Sequence, residues 1–189
     1  MSTIVDNTIT QLASRIRGER MARRWSLDDL AARSGVSKAM ISKIERGEAS
    51  PTAALLGRLS GAFGLTLSAL LAEAEAAPRG VSRRDEQPLW RDPASGYIRR
   101  QVAAPKDMPV ELTEVTLPPG AAVSFPAASY AFIAQIIWGL TGRLTFVEGA
   151  TMHEIGPGDS LALGPPADCA FRNDTASECR YLVVVLRRG

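Results

Sequence analysis

The side chains with the most chemical potential crowd into one short stretch. Lys38, Ala39, Met40, Ser42, Lys43 and Arg46 fall within nine positions, and Ser26 and Ser37 stand just ahead of apolar-patterned runs. Lys38 or Lys43 can donate to guanine O6 and N7, and the methyl groups of Ala39 or Met40 suit the methyl of thymine. Ser26 and Ser37, at expected helix starts, are suited to phosphate oxygens, with backbone N–H groups and the helix dipole assisting. This is chemistry for reading a duplex, not for breaking bonds. The catalytic inventory is thin by comparison. His153 is the sole histidine, so one chain cannot assemble a His-rich zinc site, a two-His facial triad or a His relay. Cys169 and Cys179 are too few for a disulfide framework and match no zinc spacing.

The elements that must position these residues can be read from periodicity. Ile9, Leu12, Ala13 and Ile16 recur at helical spacing beside Arg15, Arg17 and Arg20, giving one amphipathic helix with a basic outer face. Ser26 caps a second helix, with Asp29 three residues on as an approximate capping box and Gly35 as its left-handed stop. Ser37 caps a third over 38–46, with Ile41 and Ile44 inward and Gly47 as terminator. Ser50-Pro51 is expected to start a fourth, since proline suits the first helical position, and Gly64 to end it. Thr66 to Leu71 makes the fifth. A second and third helix joined by a tight glycine turn form a helix-turn-helix. The first helix of such a pair crosses the phosphate backbone while the second enters the major groove.

Charge supports this placement. The 189 residues carry a net charge of only +2, yet residues 1–72 hold ten basic and six acidic side chains, and 105–189 hold six and nine. A basic front and an acidic rear direct a polyanion to the front half. With 46% apolar and 22% charged residues the chain is of ordinary globular composition. The polar start, Met1 to Gln11, does not resemble a secretory leader. The uncharged stretch between Glu114 and Arg143 is interrupted by Pro118-Pro119-Gly120, Pro126, Gly139 and Gly142, so buried strands are expected there, not a membrane span. A cytoplasmic protein is the expectation.

The run Trp25-Ser26-Leu27-Asp28-Asp29-Leu30-Ala31-Ala32-Arg33-Ser34-Gly35-Val36-Ser37, continued by Lys38-Ala39-Met40-Ile41-Ser42-Lys43-Ile44-Glu45-Arg46-Gly47-Glu48-Ala49-Ser50-Pro51-Thr52, resembles the lambda-repressor-like (XRE-type) helix-turn-helix family. The resemblance covers residues 9–72 and implies a five-helix DNA-binding domain. Residues 73–104 shift to alanine, glutamate, proline and glycine and read as a connector, with Tyr97 to Val102 as a candidate edge strand whose arginines could also touch DNA.

From Val110 onward, short β-rich runs alternate with Gly and Pro turns: 110–117, 130–138, 143–147, 151–155, 160–163, 170–172 and 180–186. Such spacing means a sandwich or a barrel. Gln135-Ile136-Ile137-Trp138-Gly139-Leu140-Thr141-Gly142-Arg143-Leu144 and His153-Glu154-Ile155-Gly156-Pro157-Gly158-Asp159-Ser160-Leu161 resemble the cupin family, and the resemblance covers about residues 105–187. It implies a jelly-roll β-barrel. Metal-binding cupins place two histidines and a glutamate in the first motif and a third histidine in the second. Here the glutamate position holds Gln135, the earlier histidine positions fall near Ala128 to Ala131 with only Ser129 and Tyr130 polar, and the last becomes Cys169. The barrel is therefore expected to be metal-free and without cofactor, with His153 an exposed edge residue and Cys169 buried or redox-sensitive.

The fold class so read is multidomain, α then β. The expected function is sequence-specific DNA binding by a homodimer on a two-half-site operator, with a barrel that senses a small molecule or only dimerises. Tyr130, Gln135, Trp138 and Cys169 are candidates for an effector pocket. The other class kept open is a cupin enzyme carrying an accessory DNA-binding domain.

Overall fold

A computed structural model describes residues 3–71, 80–105 and 108–188. Five helices come first: α1 (Thr3–Ala22), α2 (Leu27–Ser34), α3 (Lys38–Glu45), α4 (Ala53–Phe63) and α5 (Leu67–Leu71). Local chemistry sets their limits. The Ser26 side chain accepts from Asp29 N while the Asp29 carboxylate accepts from Ser26 N at 2.8 Å, a complete capping box. Gly35 closes α2 at φ 66°, and its N–H donates to Ala31 O. One correction concerns α4: its cap is Thr52, whose hydroxyl accepts from Leu55 N at 3.3 Å, so Pro51 lies outside the helix instead of at its first position. Leu12, Ile16, Leu30, Ile41, Ile44, Leu56, Leu59 and Phe63 form the helical core.

Ten strands follow: β1 (Leu89–Arg91), β2 (Ile98–Ala103), β3 (Val110–Leu117), β4 (Ala122–Phe125), β5 (Ile133–Thr141), β6 (Leu144–Glu148), β7 (Thr151–Ile155), β8 (Ser160–Ala162), β9 (Cys169–Arg172) and β10 (Cys179–Arg187). They form two antiparallel sheets. The larger has the order β1-β2-β3-β10-β5-β8, and the smaller β4-β9-β6-β7. The strand-rich half of a jelly-roll plan is therefore present. However, the strands pair as two sheets and not as one closed ring.

Burial follows the pleat. Along β3 residues alternate half-buried and buried, and β10 does the same until its last turn. Glu111, Thr113, Val115 and Leu117 face inward with Tyr181, Val183 and Val185. Between the sheets Phe171 stacks on Tyr181 (5.6 Å, 7°) and tilts against Phe146 at 4.8 Å. At β5 the expected start near Tyr130 moves to Ile133, because Ala127–Tyr130 form a 3-10 turn after Pro126. The expected turn at Gly139 is strand instead. A Cβ there would lie 2.0 Å from Gly156 O, so the glycine serves close approach and not chain reversal.

Residues 73–79, the first part of the proposed 73–104 connector, lie outside the described residues, and the rest of that segment differs from expectation. The segment read as a candidate edge strand is β2, paired on both sides; the edge is β1. Sheet membership thus begins well before position 105. The β2 arginines are also occupied: Arg99 donates to Tyr97 Oη (2.8 Å) and Ser68 Oγ (2.8 Å), and Arg100 to Arg84 O (2.8 Å).

The two halves meet along a specific seam. Thr66 Oγ1 donates to Glu111 Oε2 at 2.7 Å, and Ser68 Oγ lies 3.0 Å from Thr113 Oγ1. Ala53 N donates to Asp92 Oδ1 at 3.0 Å, and Ser129 Oγ to Gly57 O at 2.9 Å. All four of these polar contacts join α4 or α5 to the strand-rich half, and Asp92, Glu111 and Thr113 are buried at the join.

Candidate nucleic-acid interface

The third helix is held rigidly from behind. Ile41 and Ile44 are fully buried, and Val36 in the turn is buried as well. Arg20 of α1 makes a two-pronged pair with Glu45 of α3, Nε to Oε1 at 2.7 Å and Nη2 to Oε2 at 2.8 Å. Both side chains are largely shielded, so the pair fixes α3 in azimuth as a planar fork. At the entry to α2, Trp25 stacks on Phe63 (5.9 Å, 13°) and carries Arg33 over its ring at 4.5 Å.

What remains outward is the candidate reading face. Lys38, Ala39, Lys43 and Arg46 are exposed, and Met40 and Ser42 are half-buried beside them. The expected residues of α3 are therefore brought together on one face. Two of the cations carry acidic partners: Lys38 Nζ lies 2.7 Å from Asp28 Oδ2, and Arg46 Nε 2.6 Å from Glu48 Oε1, with Ser42 also accepting from Arg46. These pairs are solvent-exposed and worth little, so phosphate or a base edge can replace the carboxylate at small cost. Arg46 in turn holds the Glu48 carboxyl below its usual range.

The two serines differ. Ser37 caps α3 by accepting from Met40 N, and no acid occupies the first turn of that helix. Ser26 gives its hydroxyl proton to Asp29 Oδ2 at 2.7 Å, and Asp28 and Asp29 both sit in the first turn of α2. The Asp29 carboxyl is drawn below its ordinary value mainly by that Ser26 hydroxyl. A phosphate approaching Ser26 would meet two negative charges, so the geometry favours Ser37. Arg33 was not among the expected contacts. It is exposed and stacked on Trp25, and the tryptophan eight positions before it was the only sequence signal.

The expected effector residues divide. Tyr130, Gln135 and Cys169 are buried and border one small void of about 10 Å3, room for one water. Trp138 does not join them. It is 46% exposed on the outer face of the six-stranded sheet, because β5 alternates and positions 133, 135 and 137 take the inward side. Burial pushes the Cys169 thiol up to about 11, so it is protonated at neutral pH. His153 is half-buried rather than exposed. Its ring stacks near Phe146 (6.4 Å), and its Nε2 lies 3.8 Å from Glu148 Oε2, beyond hydrogen-bond reach. Among the described residues no group of three or more His, Cys, Asp or Glu side chains converges on a metal-sized space, and no helix is long and apolar enough to cross a membrane.

Residues 16–70 match the helix-turn-helix family HTH_3, and that segment is a helix-turn-helix domain. A curated relative, the HTH-type transcriptional regulator SutR of Escherichia coli (strain K12), is 33% identical over 85 residues, 45% of this chain. The aligned part spans about half the length of that relative, 48%. Among solved structures, an HTH_3 family transcriptional regulator from Vibrio cholerae superimposes with a TM-score of 0.81 at 23% identity, covering 97% of this chain and 99% of that one. The same helices-then-strands fold is thus shared over the whole length. A predicted oxalate decarboxylase from Thermotoga maritima overlaps with 57% of this chain and 99% of its own at a TM-score of 0.50 and 16% identity.

Proposed function

We propose that this chain, whose helical half is a helix-turn-helix domain of the HTH_3 family, is a sequence-specific DNA-binding transcriptional regulator. One observation carries the reading. The face of α3 left outward by Ile41, Ile44 and the Arg20–Glu45 fork holds Lys38, Ala39, Lys43 and Arg46 together. On this reading α3 lies in the major groove, Lys38 and Lys43 donate to base edges, and the Ala39 and Met40 methyl groups meet thymine. Arg46 and Ser37 hold phosphates.

A single module of this size makes few base contacts, so two copies on half-sites about 34–36 Å apart are expected. The outer face of the six-stranded sheet supplies the surface. Ile136, Trp138 and Leu186 stand there 45%, 46% and 47% exposed. Ile136 pairs with Val184 and Trp138 with Leu182, which share that face. A contiguous apolar patch on a sheet is the signature of an interface between subunits.

We read the strand-rich half as non-catalytic. The support is packing. The aromatic ladder of Phe146, Phe171 and Tyr181 packs the space between the sheets; a hollow of about 10 Å3 borders Tyr130, Gln135 and Cys169, and one of about 50 Å3 lies between the helical half and the inner sheet faces. Selection of bound sequences from a random duplex pool, followed by titration of the enriched site across salt, tests the function. Enrichment of a two-half-site sequence whose affinity falls steeply with salt is expected. A pool that stays random after repeated rounds rejects the reading.

A further inference from the structure

We propose that the groove between α1, α5 and β1–β2 is a binding site for a small amphipathic carboxylate, and that the ligand regulates DNA binding by bracing the two halves against each other. The regulatory part rests on the DNA-binding reading; the binding site does not.

The groove encloses about 490 Å3, within the roughly 300–1,000 Å3 of small-molecule sites. The hollows of about 10 and 50 Å3 described above are smaller by roughly an order of magnitude or more. Its walls come from both halves of the chain. Leu12 of α1 and Leu71 of α5 supply one apolar side, and Trp90 of β1 the other. Arg15 and Arg99 line the same space, and none of the described residues lining it is a carboxylate.

The two arginines are partnered differently. Arg99 donates to three hydroxyls, Tyr97 Oη, Ser68 Oγ and, at 3.4 Å, Thr113 Oγ1, and it has no acidic partner among the described residues. Neutral hydroxyls orient the half-buried Arg99 guanidinium without cancelling its positive charge. Arg15 pairs with Glu19 through Nη2 at 2.9 Å, and its Nε is closed off from solvent with no hydrogen-bond partner among the described residues. The Arg15 and Arg99 guanidiniums share one groove, the second without an acidic partner among the described residues, and together they are the donor set for an anionic head group. The leucines and Trp90 fit an apolar body. One carboxylate group and a chain or ring of six to eight carbons, roughly, match this division of the walls.

Placement gives the consequence. Ser68 of α5 touches both Arg99 and Thr113, so an anion at Arg99 acts on the seam that sets the helical half against the sheet. A ligand that binds one arrangement of the halves better shifts the population toward it and changes operator affinity by the same differential.

Octanoate and phenylacetate, each paired with its uncharged amide, would be titrated into the full chain by calorimetry and thermal melting. The acids are expected to bind and raise the melting temperature while the amides do not. Arg99→Gln should weaken acid binding at least about tenfold, and Arg99→Lys less, with circular dichroism reporting that both variants are folded. Operator affinity with and without the acid is the second readout. Equal binding of acid and amide, or no binding of either acid at millimolar concentration, overturns the site. Acid binding without any change in operator affinity overturns the regulatory part alone. If the chain selects no DNA sequence while the acids still bind through Arg99, the DNA-binding reading fails and the site stands.

Discussion

The ring of Phe125 occupies the space that a side chain on Gly57 would need: a Cβ built there would sit 2.4 Å from Phe125 Cδ1. Glycine inside a helix ordinarily costs up to about 1 kcal/mol relative to alanine. At position 57 the absent side chain lets α4 lie directly on β4. Replacing it has two opposing effects. Alanine recovers helix propensity, but Phe125 is buried against Phe171 and has little room to retreat. Gly57→Ala should be destabilising by about 1–3 kcal/mol, the range for overpacking, read by chemical denaturation. A variant as stable as the parent would mean that the halves separate easily.

Contacts on α3 should split into two kinds. Lys38→Ala is expected to relax preference at one base position, with discrimination there falling by about 1–3 kcal/mol. Arg46→Ala should weaken binding to all sequences alike and lower the salt slope by about one. Competition binding on single-base variants of the selected site separates these outcomes. Uniform loss from both variants would show that α3 is not the reading helix.

Association should depend on the outer face of the large sheet. Ile136→Glu and Trp138→Glu each place a charge in the middle of the apolar patch without touching the inner core. Light scattering should then report monomers, and operator affinity should drop steeply because only one half-site is engaged at a time. A dimer that survives both substitutions places the interface elsewhere.

Thiol chemistry gives a pH prediction. Burial raises Cys169 and Cys179 from 9.0 to about 11 in the folded chain. A thiol held protonated by folding stabilises the native state below its unfolded value and ceases to do so as pH rises toward the folded one. Stability should therefore fall between pH 9 and about 11, and Cys→Ser at both positions should flatten that limb. At neutral pH iodoacetamide should label neither thiol until the protein is unfolded. Rapid labelling of the native protein would place a thiolate where none is expected.

The helical half was nearly transparent to sequence reading because its signals are local. Ser26, Asp29, Gly35 and Ser37 fix ends within four residues of themselves, and Ile41 and Ile44 fix the buried side. The end expected at Ser50-Pro51 lost to a cap at Thr52. In the strand-rich half β3 and β7 could be bounded from alternation and turns. β1 and β4 carry three and four residues, too few to show a period, and β4 exists through a partner, β9, distant in sequence. Trp138 was misassigned for a related reason. An aromatic residue in a cupin-like motif suggests a pocket, but the side it takes depends on the register of β5, and a one-residue shift exchanges the faces. The groove at Arg99 was invisible because residues from α1, α5 and β2 meet there only after the halves pack.

The hydroxyl and carboxylate contacts that tie Thr66 and Ser68 to Glu111 and Thr113 have one further result. They tie α5 to the large sheet, and α3 is joined to α5 through the helical core of Ile41, Ile44 and Leu70. In a dimer built on that sheet, the distance and twist from one α3 to the other are set by β-strand geometry instead of by a tether. The sheet then works as a ruler. Inserting a single base pair between half-sites rotates one of them by about a tenth of a turn, and a rigid frame cannot follow it.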